Sequence, residues 1–140
     1  MTTAHLYIAI AALVALLAVV FAAARLTRRK PHRLNTAQFL KRWQETQKLL
    51  SSKNTWPLAV INADRLLDDA LKRRRYKGKT MGERLVSAQH DITDNDGVWF
   101  GHKLRNQLVH EENIKLTKRM VQDALVGIRQ ALKDLGALKK

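Results

Sequence analysis

The chain has 140 residues, 26 Lys+Arg against 12 Asp+Glu, a formal net charge of +14 and no cysteine. That length allows one modest domain, and the missing cysteines exclude a disulfide framework or a thiolate metal site. Gly and Pro are scarce and no segment alternates with period two, so an all-α protein without a sheet is expected.

Residues 6–24 run for 19 positions without a charge. At about 1.5 Å per residue such a helix spans roughly 28 Å, the thickness of a bilayer's hydrocarbon core. Tyr7 lies near one end, where an amphipathic ring suits the interface. Residues 1–5 hold no Lys or Arg, whereas Arg25, Arg28, Arg29, Lys30 and Arg33 follow the apolar run. The excess of positive charge predicts a single-pass protein of the cell (inner) membrane, N-terminus outside and C-terminal domain cytoplasmic. The same cluster suits anionic lipid headgroups. Ala22-Ala23-Ala24 offers a signal-peptide cleavage site as the competing reading, but the first residues lack positive charge and the apolar run is long for one. The expected organisation is an anchor over 1–27, a basic juxtamembrane linker over 28–35 and a helical domain over 36–140.

Pro31 is expected to break the emerging helix or follow its end. Five helices are then expected, forming an antiparallel bundle because their connections are short. The first covers about 36–52, capped by Asn35 with Gln38, with Phe39, Leu40, Trp43, Gln47 and Leu50 along one stripe. The second covers about 56–76, with Pro57 in its first turn, a stripe of Val60, Ala63, Leu67, Ala70 and Leu71, and Gly78 ending it. The third, about 81–91, opens on Thr80 and Glu83 and turns Met81, Leu85 and Ala88 inward. The fourth covers about 97–112 and the fifth about 117–138, the latter with Val121, Leu125, Ile128, Leu132 and Leu135 as its seam.

Three apparent motifs fail on chemistry. Gly78-Lys79-Thr80 resembles the end of a phosphate-binding loop, yet Arg73 stands where its first glycine belongs. Asp94-Asn95-Asp96-Gly97 resembles part of a calcium loop, but Ile92 and Lys103 fall at positions that need oxygen donors; Asp94 or Asp96 capping the fourth helix is expected instead. His102 and His110 are two helical turns apart, too far to share one ion. No metal and no cofactor is expected.

The fourth helix should turn Phe100, Leu104 and Leu108 to the core. His102, Asn106 and His110 then share a nearly opposite arc, with Trp99 beside it and Arg105 between. A second polar face of this kind suits a ligand or another subunit, including a homodimer through this helix. Lys72, Arg73, Arg74, Arg75, Lys77 and Lys79 place six cations in eight residues, a patch for RNA, anionic lipid, or plain solvation. Asp68 and Asp69 are spaced to neutralise Lys72 and Arg73.

Arg105-Asn106-x-x-x-His110 resembles the R-x(4–6)-H signature of HEPN domains. The Ala-Asp-x-Leu-Leu-Asp-x-Ala-Leu block at Ala63–Leu71, Thr-Met-Gly-Glu-Arg-Leu at 80–85 and His-Lys-Leu-Arg-Asn at 102–106 are also similar to this class. The resemblance covers about residues 36–136. It implies a small helical bundle, frequently dimeric, that binds RNA or nucleotides and in many members is a metal-independent ribonuclease. Arg105 would hold the scissile phosphate, His110 would exchange a proton with the RNA 2′-hydroxyl, and Asn106 would orient His110. Trp99 and His102 would serve the interface or stack on bases. The alternative expectation is a non-catalytic, membrane-tethered interaction module, with Asn106 bonded locally and Arg105 paired to Asp64 or Asp68.

Overall fold

The computed structural model describes residues 3–26 and 32–139. The chain divides into two compact units that part between Lys30 and Pro31. The described residues are helical and contain no strand. Pro31 and most of the juxtamembrane basic cluster (Arg28, Arg29, Lys30) lie outside them.

The first unit is one helix, α1 (Thr3–Leu26), of 24 residues with a mean hydropathy of 2.8 over its most apolar window. It is long and apolar enough to cross a membrane, and all of its described side chains are exposed.

The second unit holds α2 (Thr36–Lys48), α3 (Trp56–Arg73), α4 (Met81–Ala88), α5 (Asn95–His110) and α6 (Lys118–Asp134). The expected five helices are present, each shorter at its C-terminal end than expected. Two 3-10 turns, Leu49–Ser51 and Lys53–Thr55, replace the end of the first. Side-chain oxygens close the N-termini where expected. Asn35 accepts from the Gln38 N–H at 3.2 Å, Thr80 from Glu83 at 3.2 Å and Asp94 from Gly97 at 2.9 Å. Thr117 does the same for Met120 at 3.2 Å.

The end of α3 differs from the glycine stop expected at Gly78. The left-handed residue is Arg75, at φ 64°. The Tyr76 N–H donates to the Leu71 carbonyl at 3.1 Å and the Arg75 N–H to Lys72 at 2.9 Å, a Schellman closure built on a non-glycine residue. At the end of α6 the same closure uses Gly136 at φ 76°, so the helix stops at Asp134 rather than 138.

α3 is the central element, touching α2, α4, α5 and α6, while the densest pairing is α5 on α6. The stripe Val60, Ala63, Leu67, Ala70 and Leu71 is fully buried, as is most of the α6 seam. Close approach of α5 and α6 depends on glycine. A Cβ on Gly127 would sit 2.2 Å from the Gly97 carbonyl carbon, and one on Gly101 would sit 2.9 Å from Ile128. That approach sets the rotation of α5. Val98, Gly101 and Leu104 face inward, and Phe100, expected in the core, is 40% exposed. On α2 the core takes Phe39, Trp43 and Thr46, leaving Leu40 46% exposed and Gln47 exposed.

Candidate functional site

The rotation of α5 carries one polar edge of the helix against α3. His102 is thereby only 8% exposed rather than part of an outer face. Its Nδ1 is 2.9 Å from Asp64 Oδ1. An ionised carboxylate only accepts, so Nδ1 carries a proton and donates; in the neutral ring this leaves the lone pair on Nε2. Asn106, one turn on, places Nδ2 3.4 Å from that lone pair, while its Oδ1 accepts from Arg105 Nη1 at 3.0 Å. Arg105 Nε returns to Asp64 Oδ2 at 3.6 Å. Asp64, His102, Asn106 and Arg105 thus close a ring of four polar side chains. The Trp99 ring meets His102 edge-on, centroids 5.9 Å apart at 72°.

A second knot lies one turn along α3. Arg84, 7% exposed, donates through Nε to Asp68 Oδ1 at 2.8 Å and through Nη1 to the Gly78 carbonyl at 2.9 Å. Lys72 Nζ reaches the other oxygen of Asp68 at 2.8 Å. Between the two knots opens a cleft of about 710 Å³, floored by α3, walled by α5 and closed by the first turn of α4. Its lining holds four cations, Arg65, Lys72, Arg84 and Arg105, against two carboxylates, Asp64 and Asp68. Gly82 stands at the mouth, where a Cβ would lie 4.0 Å from His102 Nε2. Thr80, Met81 and Gly82, at the amino end of α4, complete the lining of this electropositive pocket.

The anticipated site residues separate into two places. Arg105, Asn106, His102 and Lys72 meet in or beside the cleft. His110 is exposed on the last turn of α5, with no side-chain partner among the described residues. Five helical positions turn Arg105 and His110 about 140° apart, and Asn106 is bonded to His102 and Arg105 rather than orienting His110. Within one chain the R-x4-H pair does not converge. Trp99 is half-buried against the core and His102 rather than presented on a free face.

The basic segment is also sorted by the fold. Lys72 and Arg73 pair with Asp68 and Asp69 at the expected spacing, at 2.8 and 3.0 Å. Burial works to raise the Asp69 carboxyl, but hydrogen bonds from Arg73 and Arg42 outweigh it and hold the group below its ordinary value of 3.8. Arg74 is half-buried beside Tyr76. Arg75, Lys77 and Lys79 are exposed, with no acidic partner among the described residues. Their loop is held by four bonds. Tyr76 Oη donates to Asp91 at 2.6 Å, Ser87 Oγ to the Lys77 carbonyl at 2.6 Å, the Lys79 N–H to Glu83 at 2.6 Å, and Arg84 to Gly78. Burial, then the bond to Asp91, pushes the Tyr76 hydroxyl up to about 12.

Arg65 and Arg84 are the site residues that sequence reasoning missed; Asp64 was expected only as a partner for Arg105, which it approaches at 3.6 Å, and its bond to His102 was not foreseen. The signal for Asp64 was present: it falls at core spacing between Val60 and Leu67, where an acid needs a partner. Compared with known proteins, the chain matches no family model, no curated sequence and no solved structure.

Proposed function

We propose that this chain is a membrane-anchored, HEPN-like helical domain whose cleft binds the phosphate groups of RNA or a nucleotide. The observation that carries this reading is the cleft itself: four cations against two carboxylates, beside the amino end of α4. Lys72 belongs both to the cleft and to the basic segment that continues through Arg75, Lys77 and Lys79. The positive surface therefore extends beyond one phosphate, which favours a polyanion such as single-stranded RNA. α1 supplies the anchor, with the basic residues that follow it on the cytoplasmic side and in reach of anionic headgroups.

Phosphate binding is a better-supported role than cleavage. A ribonuclease site built from Arg105 and His110 requires the motifs of two copies to meet, since one chain turns these residues apart. The test uses the full chain in nanodiscs of zwitterionic lipid with fluorescein-labelled single-stranded RNA. Anisotropy should show binding that weakens steeply with salt, and Arg105→Ala should lower affinity about tenfold. No binding in about 50 mM salt would rule the reading out. Incubation without metal then tests cleavage: strand scission lost in His110→Ala would establish the nuclease, and an intact strand would leave a binding domain.

A second reading, a protein-interaction module that pairs copies through α5, draws on the exposed Phe100 and the unpartnered His110 on its outer side. Sedimentation should then show a dimer that Phe100→Ser dissociates. A monomer at all concentrations excludes it.

A further inference from the structure

Asn106 is a single amide that restrains two groups at once. Its Nδ2 covers the free lone pair of His102 and its Oδ1 holds Arg105, at 3.4 and 3.0 Å. The former contact is long for a hydrogen bond and the Arg105–Asp64 approach of 3.6 Å is loose, so both are weakly held. His102 Nδ1 is firmly committed to the buried carboxylate of Asp64. Charged groups face this imidazole from each element around the cleft: Asp64, Arg65, Asp68 and Lys72 on α3, Arg84 on α4 and Arg105 on α5.

We propose that the cleft seats a terminal phosphate monoester, and that His102 takes up a proton as the phosphate arrives. This deepens the phosphate-binding reading and rests on it. With His102 neutral the lining leaves two positive charges in excess, so it favours a doubly charged terminal phosphate over the single charge of a diester linkage. When Arg105 turns from Asn106 and Asp64 to the phosphate, the amide loses the partner that fixes its orientation. The lone pair of Nε2 is then uncovered toward an anion. An imidazole between a carboxylate on Nδ1 and a phosphate on Nε2 is stabilised in its charged form by both. It binds one proton from solvent and donates through both nitrogens, to Asp64 and to a phosphate oxygen. No bond to phosphorus is made or broken. An internal phosphodiester in the same cleft carries a single charge and would not draw a proton onto His102.

The experiment is isothermal titration of the full chain in zwitterionic nanodiscs. Its probes are one short RNA with a 5′-phosphate, the same RNA with a 3′-phosphate and the RNA with hydroxyl ends. Each is measured in two buffers of different ionisation enthalpy. Expected is uptake of up to about one proton with a phosphorylated end and none with hydroxyl ends. A phosphorylated end should also bind at least about fivefold tighter at pH about 7.5, where the monoester is mostly a dianion. His102→Gln should abolish the uptake and bring the affinity of the phosphorylated RNA down to that of the hydroxyl-ended RNA measured on the same variant. Gly82→Val, which crowds Nε2 without removing a hydrogen bond, should do the same in a protein with its Asp64–His102 pair intact. Equal binding of all three RNAs without proton uptake would overturn the proposal and leave the phosphate-binding reading standing. Failure of all three to bind would remove both.

Discussion

Tyr76 shows how one side chain outside the cleft shapes the surface beside it. It is tied to Asp91 and closes the loop that carries Lys77 and Lys79. Burial and the nearby carboxylate both favour the neutral phenol, so its value rises from 10.0 to about 12 on folding. A group raised on folding contributes stability that is whole below its unfolded value and is lost as the pH climbs through the folded one. The loss therefore falls between pH 10.0 and about 12. Urea denaturation across that range should show stability falling less steeply in Tyr76→Phe than in the parent. Parallel curves would contradict the assignment. Tyr7 is the only other tyrosine, so Tyr7→Phe lets a spectrophotometric titration follow Tyr76 alone. At this scale the sequence was partly legible. The i,i+4 pairs of Asp68 with Lys72 and Asp69 with Arg73 follow from helical spacing. The Tyr76–Asp91 bond, across 15 residues, does not.

At the scale of the helices, two backbone positions control what the cleft looks like. Arg75 holds the left-handed conformation that ends α3, at a steric cost a glycine would not bear. Arg75→Gly should therefore stabilise the domain by about 0.5–1 kcal/mol in chemical denaturation while weakening RNA binding through the lost cation. A destabilised variant would show that the Arg75 side chain makes a stabilising contact. Gly127 has the opposite character. Its missing Cβ lets α6 meet Gly97 of α5, and Gly127→Ala would force the helices apart. The expected cost is about 1–3 kcal/mol by denaturation, with the His102–Asp64 geometry disturbed as α5 moves. An unchanged midpoint would mean that the helices separate freely there. Helix existence and N-terminal caps were readable at this scale because Asn35, Thr80 and Asp94 act on residues three positions away. The C-terminal ends were not, because Arg75 can take a glycine's place once its neighbours hold the turn.

For the molecule as a whole, the two units differ in where their apolar side chains lie. α1 exposes an apolar surface all round, whereas the second unit buries most of its large apolar side chains in one core. If α1 is the anchor, the full chain should resist alkaline carbonate extraction from membranes, and a chain lacking residues 3–26 should be released. Release of the full chain would exclude an integral anchor. Four cations of the +14, Arg25, Arg28, Arg29 and Lys30, precede the second unit, which still carries a net charge of +10 and should favour anionic over zwitterionic vesicles in a salt-sensitive way.

The sequence by itself determined the all-helical class, the uncharged 19-residue run, the buried stripes of α3 and α6 and the caps. Each is a local property: a period, a length, or a contact over three or four residues. Tertiary structure alone decided which edge of α5 turns inward, because that depends on how closely Gly97, Gly101 and Gly127 let two helices approach. From that rotation follow the exposure of Phe100 and the burial of His102 on Asp64. A one-dimensional pattern can say that a helix has two kinds of face. Only packing against neighbours distant in the chain says where each face points.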